Sequence, residues 1–167
     1  MNIAAYTALW FLPFVAPIAF YIAWTDLSRM KIPNHAVITL FVVYAIIGPI
    51  ALPLSTYLWG FLAVIIVLVL GILFNAAGVL GAGDAKYLAA AAPLFSFPDM
   101  IIVVQIFCAA LLGAWTTHRL VKYSLLRKLA NNWESWNTGS KFPMGFTISA
   151  TLVIYLALAL RFGAELP

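Results

Sequence analysis

The chain has only five carboxylates, Asp26, Asp84, Asp99, Glu134 and Glu165, and two of them sit where a charge is expensive. Asp26 closes an apolar stretch and opens "DLSRMKIPN"; Asp84 lies in "GAGDAK", Gly81 to Lys86, at the start of another. A carboxylate bordering hydrocarbon usually faces a protein-lined cavity and by default suggests function. Two such groups brought within a few ångströms cannot both ionise cheaply, so they share a proton and titrate as a coupled pair. That state suits hydrolysis: the charged member draws a proton from water while the protonated one donates to a substrate carbonyl oxygen. Each also has an ordinary reading. Asp84 could N-cap a helix, and Asp26 could pair with Arg29 or Lys31. Asp99, in a short turn after Pro98, and Glu165, near the C-terminus, read as solvated charges, and Glu134 reads as balancing nearby Arg or Lys.

Other chemistries find little support. His35 and His118 have no Ser or Cys nucleophile at suggestive spacing, and the single Cys108 falls inside an apolar run. No Cys/His cluster has metal-ligand spacing, so neither a metal nor a cofactor is expected. Gly78, Gly81 and Gly83 follow no strand and precede no Gly-Lys-Ser/Thr, which argues against a phosphate loop. Their use is a sharp turn that lets Asp84 approach a backbone with no Cβ in the way. Lys86, third in a helix, points away from Asp84 and snorkels to headgroups. His35, beside Asn34 at a helix start, reads as a cap or a headgroup contact.

The elements that must position these residues are membrane helices. Of 167 residues 65% are hydrophobic and 8% charged, with a mean hydropathy of +1.06. That composition lies outside the range of soluble domains. A hydrocarbon layer about 30 Å thick takes roughly 20 residues per spanning helix, so the length accommodates about six spans. Apolar runs at 3–24, 34–52, 57–80, 85–97, 99–118 and 143–163 predict an all-α polytopic membrane protein in a single domain, residues 1–167. The fourth run is short and interrupted by Pro93, which places the Gly-Ala-Gly-Asp turn at membrane depth, where irregular backbone survives only against protein or water. The first 24 residues carry no Lys or Arg, so the segment lacks the charged start of a cleavable signal and should remain as a helix. Alternating six spans puts eight of the nine basic residues on one side, with only Arg161 opposite. That side should be cytoplasmic, with both termini outside. In 119–136, Leu126, Leu129, Trp133 and Trp136 recur at three and four residues among basic side chains, predicting a short interfacial helix. Attraction to anionic lipid headgroups accounts for the basic balance without nucleic acid.

Three stretches together resemble the prepilin peptidases, membrane aspartyl proteases of the GxGD type. "GAGDAK" is similar to their GxGD with its following lysine, "DLSRMKIPN" to the motif of their first aspartate, and "FPMGFTISA", Phe142 to Ala150, to the proline-glycine motif opening their last helix. Met144 and Phe146 depart from that family's usual Pro-Tyr-Gly-Pro. The resemblance implies that Asp26 and Asp84 are the catalytic pair, with Gly81, Gly83, Lys86, Pro33, Asn34, Pro143 and Gly145 shaping the site. It also implies cleavage of a short basic leader from pilin-like precursors at the cytoplasmic face of a bacterial inner membrane. The chain lacks the family's cysteine-rich insert, so it resembles the short form serving tight-adherence (Flp-type) pili, with cleavage but no methylation. Two other readings stand beside it: a small ion- or proton-coupled transporter or relay subunit, and an assembly partner using both aspartates as helix glue. A transporter would more often carry midplane acids on broken helices and two similar halves.

Overall fold

The computed structural model describes residues 1–136 and 142–165. Lys141, counted above among the basic residues, and the side chains of Leu126 and Leu129 lie outside that description. Among the described residues six α-helices follow in order: α1 Ala5–Arg29, α2 Asn34–Ala51, α3 Leu54–Ala76, α4 Ala82–Ala91, α5 Met100–Lys122 and α6 Met144–Phe162. Five are long and apolar enough to cross a membrane, and α4 is not. The chain is an all-α, multi-pass membrane protein.

The bundle centres on α1 and α6, which pack antiparallel, with α2 beside α1 and α5 beside α6. Phe11, Val15 and Ile22 of α1 meet Leu152, Leu156 and Ala159 of α6 in a core that Leu40, Tyr44 and Tyr87 complete. Helix α3 buries only Gly60 and Gly71, and α5 only Val103 and Ala114, so most of their apolar surface is left for lipid. Without a hydrophobic drive between helices in lipid, close approach of small residues does the packing. A methyl group at Gly71 would lie 2.8 Å from the Ala85 Cβ, which fixes α3 tightly against α4.

The shortness of α4 follows from its sequence. Pro93 lacks the donor needed to continue an α-helix, and the chain tightens into a 3₁₀ turn over Ala92–Leu94. At the other end Gly78 takes φ 73°, the left-handed conformation that a Cβ resists, and turns the chain between α3 and α4. Since Gly71 packs level with Ala85, α3 runs five residues past that contact, about 7 Å at 1.5 Å per residue. Asp84 is therefore recessed below the end of α3.

Two sequence readings need correction. The 119–136 stretch is not one interfacial helix: α5 takes it through Lys122, and 3₁₀ turns at Leu125–Ala130 and Glu134–Trp136 follow. A spacing of three fits a 3₁₀ turn as well as an α-helix, so periodicity alone cannot separate them. Trp136 also buries itself in protein. It stacks on His118 with ring centroids 4.6 Å apart and donates its indole N–H to the Ala130 carbonyl at 2.7 Å. Trp133 stacks on Trp136 and meets Trp24 of α1 edge-on at 5.4 Å.

Asp99 is the second correction, being 1% exposed rather than solvated. Its carboxylate accepts from the Asn2 and Ile3 backbone N–H groups at 2.8 to 3.0 Å, the Asn2 side-chain amide at 3.0 Å and the Tyr155 hydroxyl at 3.0 Å. Tyr155 in turn accepts from the Ser96 N–H at 3.1 Å. One buried anion thus ties the chain's start to α5 and α6, at the end where Ala4 and Ala164 pair. Asp99→Ala would orphan these donors at about 1–3 kcal/mol each when buried. We expect a net loss of about 3 kcal/mol, read as a lower unfolding midpoint in detergent. An unchanged midpoint would contradict this role.

Candidate active site

Asp26 lies one turn before the end of α1, where the Met30 N–H bonds to its backbone carbonyl at 2.9 Å. Met30 takes the left-handed conformation, φ 50°, which stops the helix and folds the chain back on itself. The reversal carries Ile32 toward the bundle, and Pro33, extended at φ −70°, caps the start of α2. A single local device thereby links the first aspartate to the Ile-Pro-Asn that follows it.

The start of α6 is the other half of the Asp26 environment. Pro143 is buried at its N-cap, and the Phe146 N–H donates to Asp26 Oδ2 at 3.3 Å. Helix starts carry unpaired N–H groups and partial positive charge, which a carboxylate from a neighbouring helix satisfies. Asp26 is 5% exposed and interacts electrostatically with Asp84 and with the Gly145 and Phe146 N–H groups; Arg29 and Lys31 are not among its partners. The ion-pair reading of Asp26 therefore fails.

Asp84 stands in the first turn of α4, but Gly81 occupies the N-cap, so the simple capping reading fails as well. Gly81 matters for its missing side chain. A methyl group there would sit 2.6 Å from Asp84 Oδ2, so the carboxylate folds back over the glycine. One turn further on, the buried Tyr87 hydroxyl pairs with Ser149 Oγ of α6 at 2.9 Å, holding α4 against the helix that contacts Asp26.

The three sequence stretches converge on Ile32. A Cβ at Gly83 would lie 3.3 Å from the Ile32 Cβ, and one at Gly145 would lie 2.8 Å from Ile32 Cδ1 and 2.9 Å from Asp26 Oδ2. The glycines of the α4 and α6 motifs are thus the two surfaces between which Ile32 packs. Sequence reading did not single out Ile32 or the Phe146 N–H, since neither residue type suggests chemistry. The signal available for Ile32 was its place in the Ile-Pro-Asn of the first-aspartate motif.

The remaining expected site residues lie around an opening of about 560 Å³ lined by Thr25, Arg29, Ile32, Pro33, Gly83 and Lys86, among others. Thr25 and Gly83 are the immediate chain neighbours of the two aspartates. Lys86 is exposed and donates to Asn34 Oδ1 at 3.2 Å, a contact that joins α4 to α2 in addition to any reach toward headgroups. His35 pairs with the Tyr21 hydroxyl at 3.1 Å instead of capping its helix. The arrangement brings the Asp84 charge to bear on Asp26 and sets the chain neighbours of both carboxylates along an opening wide enough to admit water, the ingredients of acid–base attack on an amide.

No match was found among curated proteins or among solved structures. The family model described as the type IV leader peptidase family matches residues 13–160, from the first third of α1 almost to the end of α6. That span contains both aspartates and all three converging motifs, and the chain accordingly belongs to the type IV leader peptidase family.

Proposed function

We propose that this chain is a membrane aspartyl endopeptidase that removes the leader from pilin-like precursors at the cytoplasmic face of the inner membrane, with Asp26 and Asp84 as the catalytic pair. The observation that carries the reading is the packing of Gly83 and Gly145 on Ile32 with Asp26 Oδ2 against Gly145, which sets Asp26 beside the helix start that bears Asp84; the Asp84 charge acts on Asp26 there. Residues 58 positions apart, 84 against 26, come together only in the fold, and they are the two carboxylates that the chemistry needs.

In this mechanism one carboxylate removes a proton from a water as its oxygen attacks the scissile carbonyl carbon. The other carboxyl group, holding its proton, donates it to the carbonyl oxygen, so no full negative charge builds up. Collapse of the tetrahedral intermediate breaks the carbon–nitrogen bond, and the amine leaves with a proton returned by the pair. The α6 start holds Asp26 in place, and the Tyr87–Ser149 bond holds the helix of Asp84.

The cytoplasmic assignment rests on Arg29, Lys31, Lys86, Arg119 and Lys122 lying at the aspartate end of the bundle, with Arg161 at the other. The start of the chain and the end of α6 meet at that other end, where the Met1 amine donates to the Phe162 carbonyl at 3.0 Å. With no cysteine-rich insert in the chain, the substrate class is that of the short, tight-adherence type, cleaved without methylation. The test is incubation of the purified protein in lipid with a pilin precursor and S-adenosylmethionine. A mature product of unmodified N-terminal mass is expected. An uncut precursor, or a product heavier by one methyl group, would refute the corresponding part.

A further inference from the structure

Beside the aspartate end, a groove of about 370 Å³ opens between α2, α3 and α4. Its walls are apolar, formed by Ile38 and Phe41, by Val64 and Leu68, and by Ala89 and Ala90. Its only polar members are Asn34 and Lys86, and both also line the larger opening that carries Arg29 and Lys31. The two spaces thus adjoin at Asn34 and Lys86, a trough that is apolar on one side of these residues and cationic on the other, and among the described residues lining the cationic mouth none is acidic.

We propose that this trough binds one anionic phospholipid, an acyl chain in the α2–α3–α4 groove and the phosphate at Lys86, Arg29 and Lys31. The dimensions select the occupant. Along α2 the groove runs from Asn34 to Phe41, about 10 Å at 1.5 Å per residue, so its cross-section is a few tens of Å². An α-helix, about 10 Å across with side chains, needs roughly 80 Å². An extended peptide is narrower, but its backbone N–H and C=O groups would find no partners along these apolar walls, a severe cost at membrane depth. A hydrocarbon chain has neither problem. Lys86 uses one of its three donors on Asn34, leaving two for phosphate oxygens.

The mouth is the opening already described at the aspartate end, so the headgroup shares it with the proposed substrate path, but the test reads binding alone and is independent of peptide hydrolysis. Native mass spectrometry of the detergent-solubilised protein is read with added dioleoyl phosphatidylglycerol or dioleoyl phosphatidylcholine. Wild type should retain a single phosphatidylglycerol in preference. Lys86→Gln should cut that preference about fivefold, the share of one basic group near a lipid surface. Val64→Trp, filling the groove from the half-buried face of α3, should weaken both lipids. If Val64→Trp lowers thermal stability, Leu68→Phe fills the same space, and dihexanoyl phosphatidylglycerol should bind far more weakly than the dioleoyl form. Equal retention of the two headgroups by wild type would overturn the proposal. So would equal binding of long and short chains, displacement of the lipid by inorganic phosphate alone, or its displacement by an apolar helical peptide.

Discussion

Asp26→Asn and Asp84→Asn should each lower single-turnover cleavage of a pilin precursor by a thousandfold or more, at about the upper range for loss of one acid or base. The double variant should be scarcely worse than either single one, because residues that act as a unit are far from additive. Folding should survive both changes. The side-chain amide introduced by Asp26→Asn would still offer its carbonyl oxygen to the Phe146 N–H at the start of α6, and Asp84 is only half-buried. The wild type should show a bell-shaped rate against pH, since the pair is active only while it holds one proton: activity falls on the acid side as the second proton binds, and on the alkaline side as the last one leaves. Either asparagine variant should lose the whole profile, not shift it. A folded variant cutting at near wild-type rate would end the two-aspartate mechanism.

Gly145→Ala should reduce turnover about a hundredfold with little change in KM, the scale expected when a reacting group moves by about 1 Å. The new methyl would stand 2.9 Å from Asp26 Oδ2 and 2.8 Å from Ile32 Cδ1, closer than real Cβ contacts allow. The carboxylate must rotate, and with it goes the 3.3 Å bond from Phe146. Gly81→Ala should act in the same direction through Asp84 Oδ2 at 2.6 Å. Gly113→Ala on α5, where a Cβ meets nothing within 4 Å, is the matched control and should leave the rate unchanged. Alanine gains about 1 kcal/mol over glycine inside a helix, so a slow but well-folded Gly145→Ala would separate positioning from stability. A wild-type rate in Gly145→Ala would show that this close packing does not set the geometry of Asp26.

The helices were legible along the chain because hydrocarbon imposes a local rule: every backbone group must bond within its own segment, so a span declares itself as an apolar run of known length. The brevity of α4 was legible for the same reason, with Pro93 as its visible stop. Asp26 and Asp84 stood out because charge is scarce in such a chain, and the glycines beside Asp84 marked a turn. Contacts between segments follow no such rule. Whether Trp133 and Trp136 lie in headgroups or stack beneath α5 depends on where His118 ends up. Whether Asp99 is solvated depends on Asn2 and Tyr155, respectively 97 and 56 positions away, arriving at the same point. Ile32 became the meeting place of three motifs, and Phe146 the partner of Asp26 across 120 positions, only because α1 and α6 pack antiparallel with α4 clasped beside them. The sequence by itself determined which residues carry charge into the membrane; the tertiary structure decided what each of those charges meets, because that depends on helix neighbours and not on spacing along any one helix.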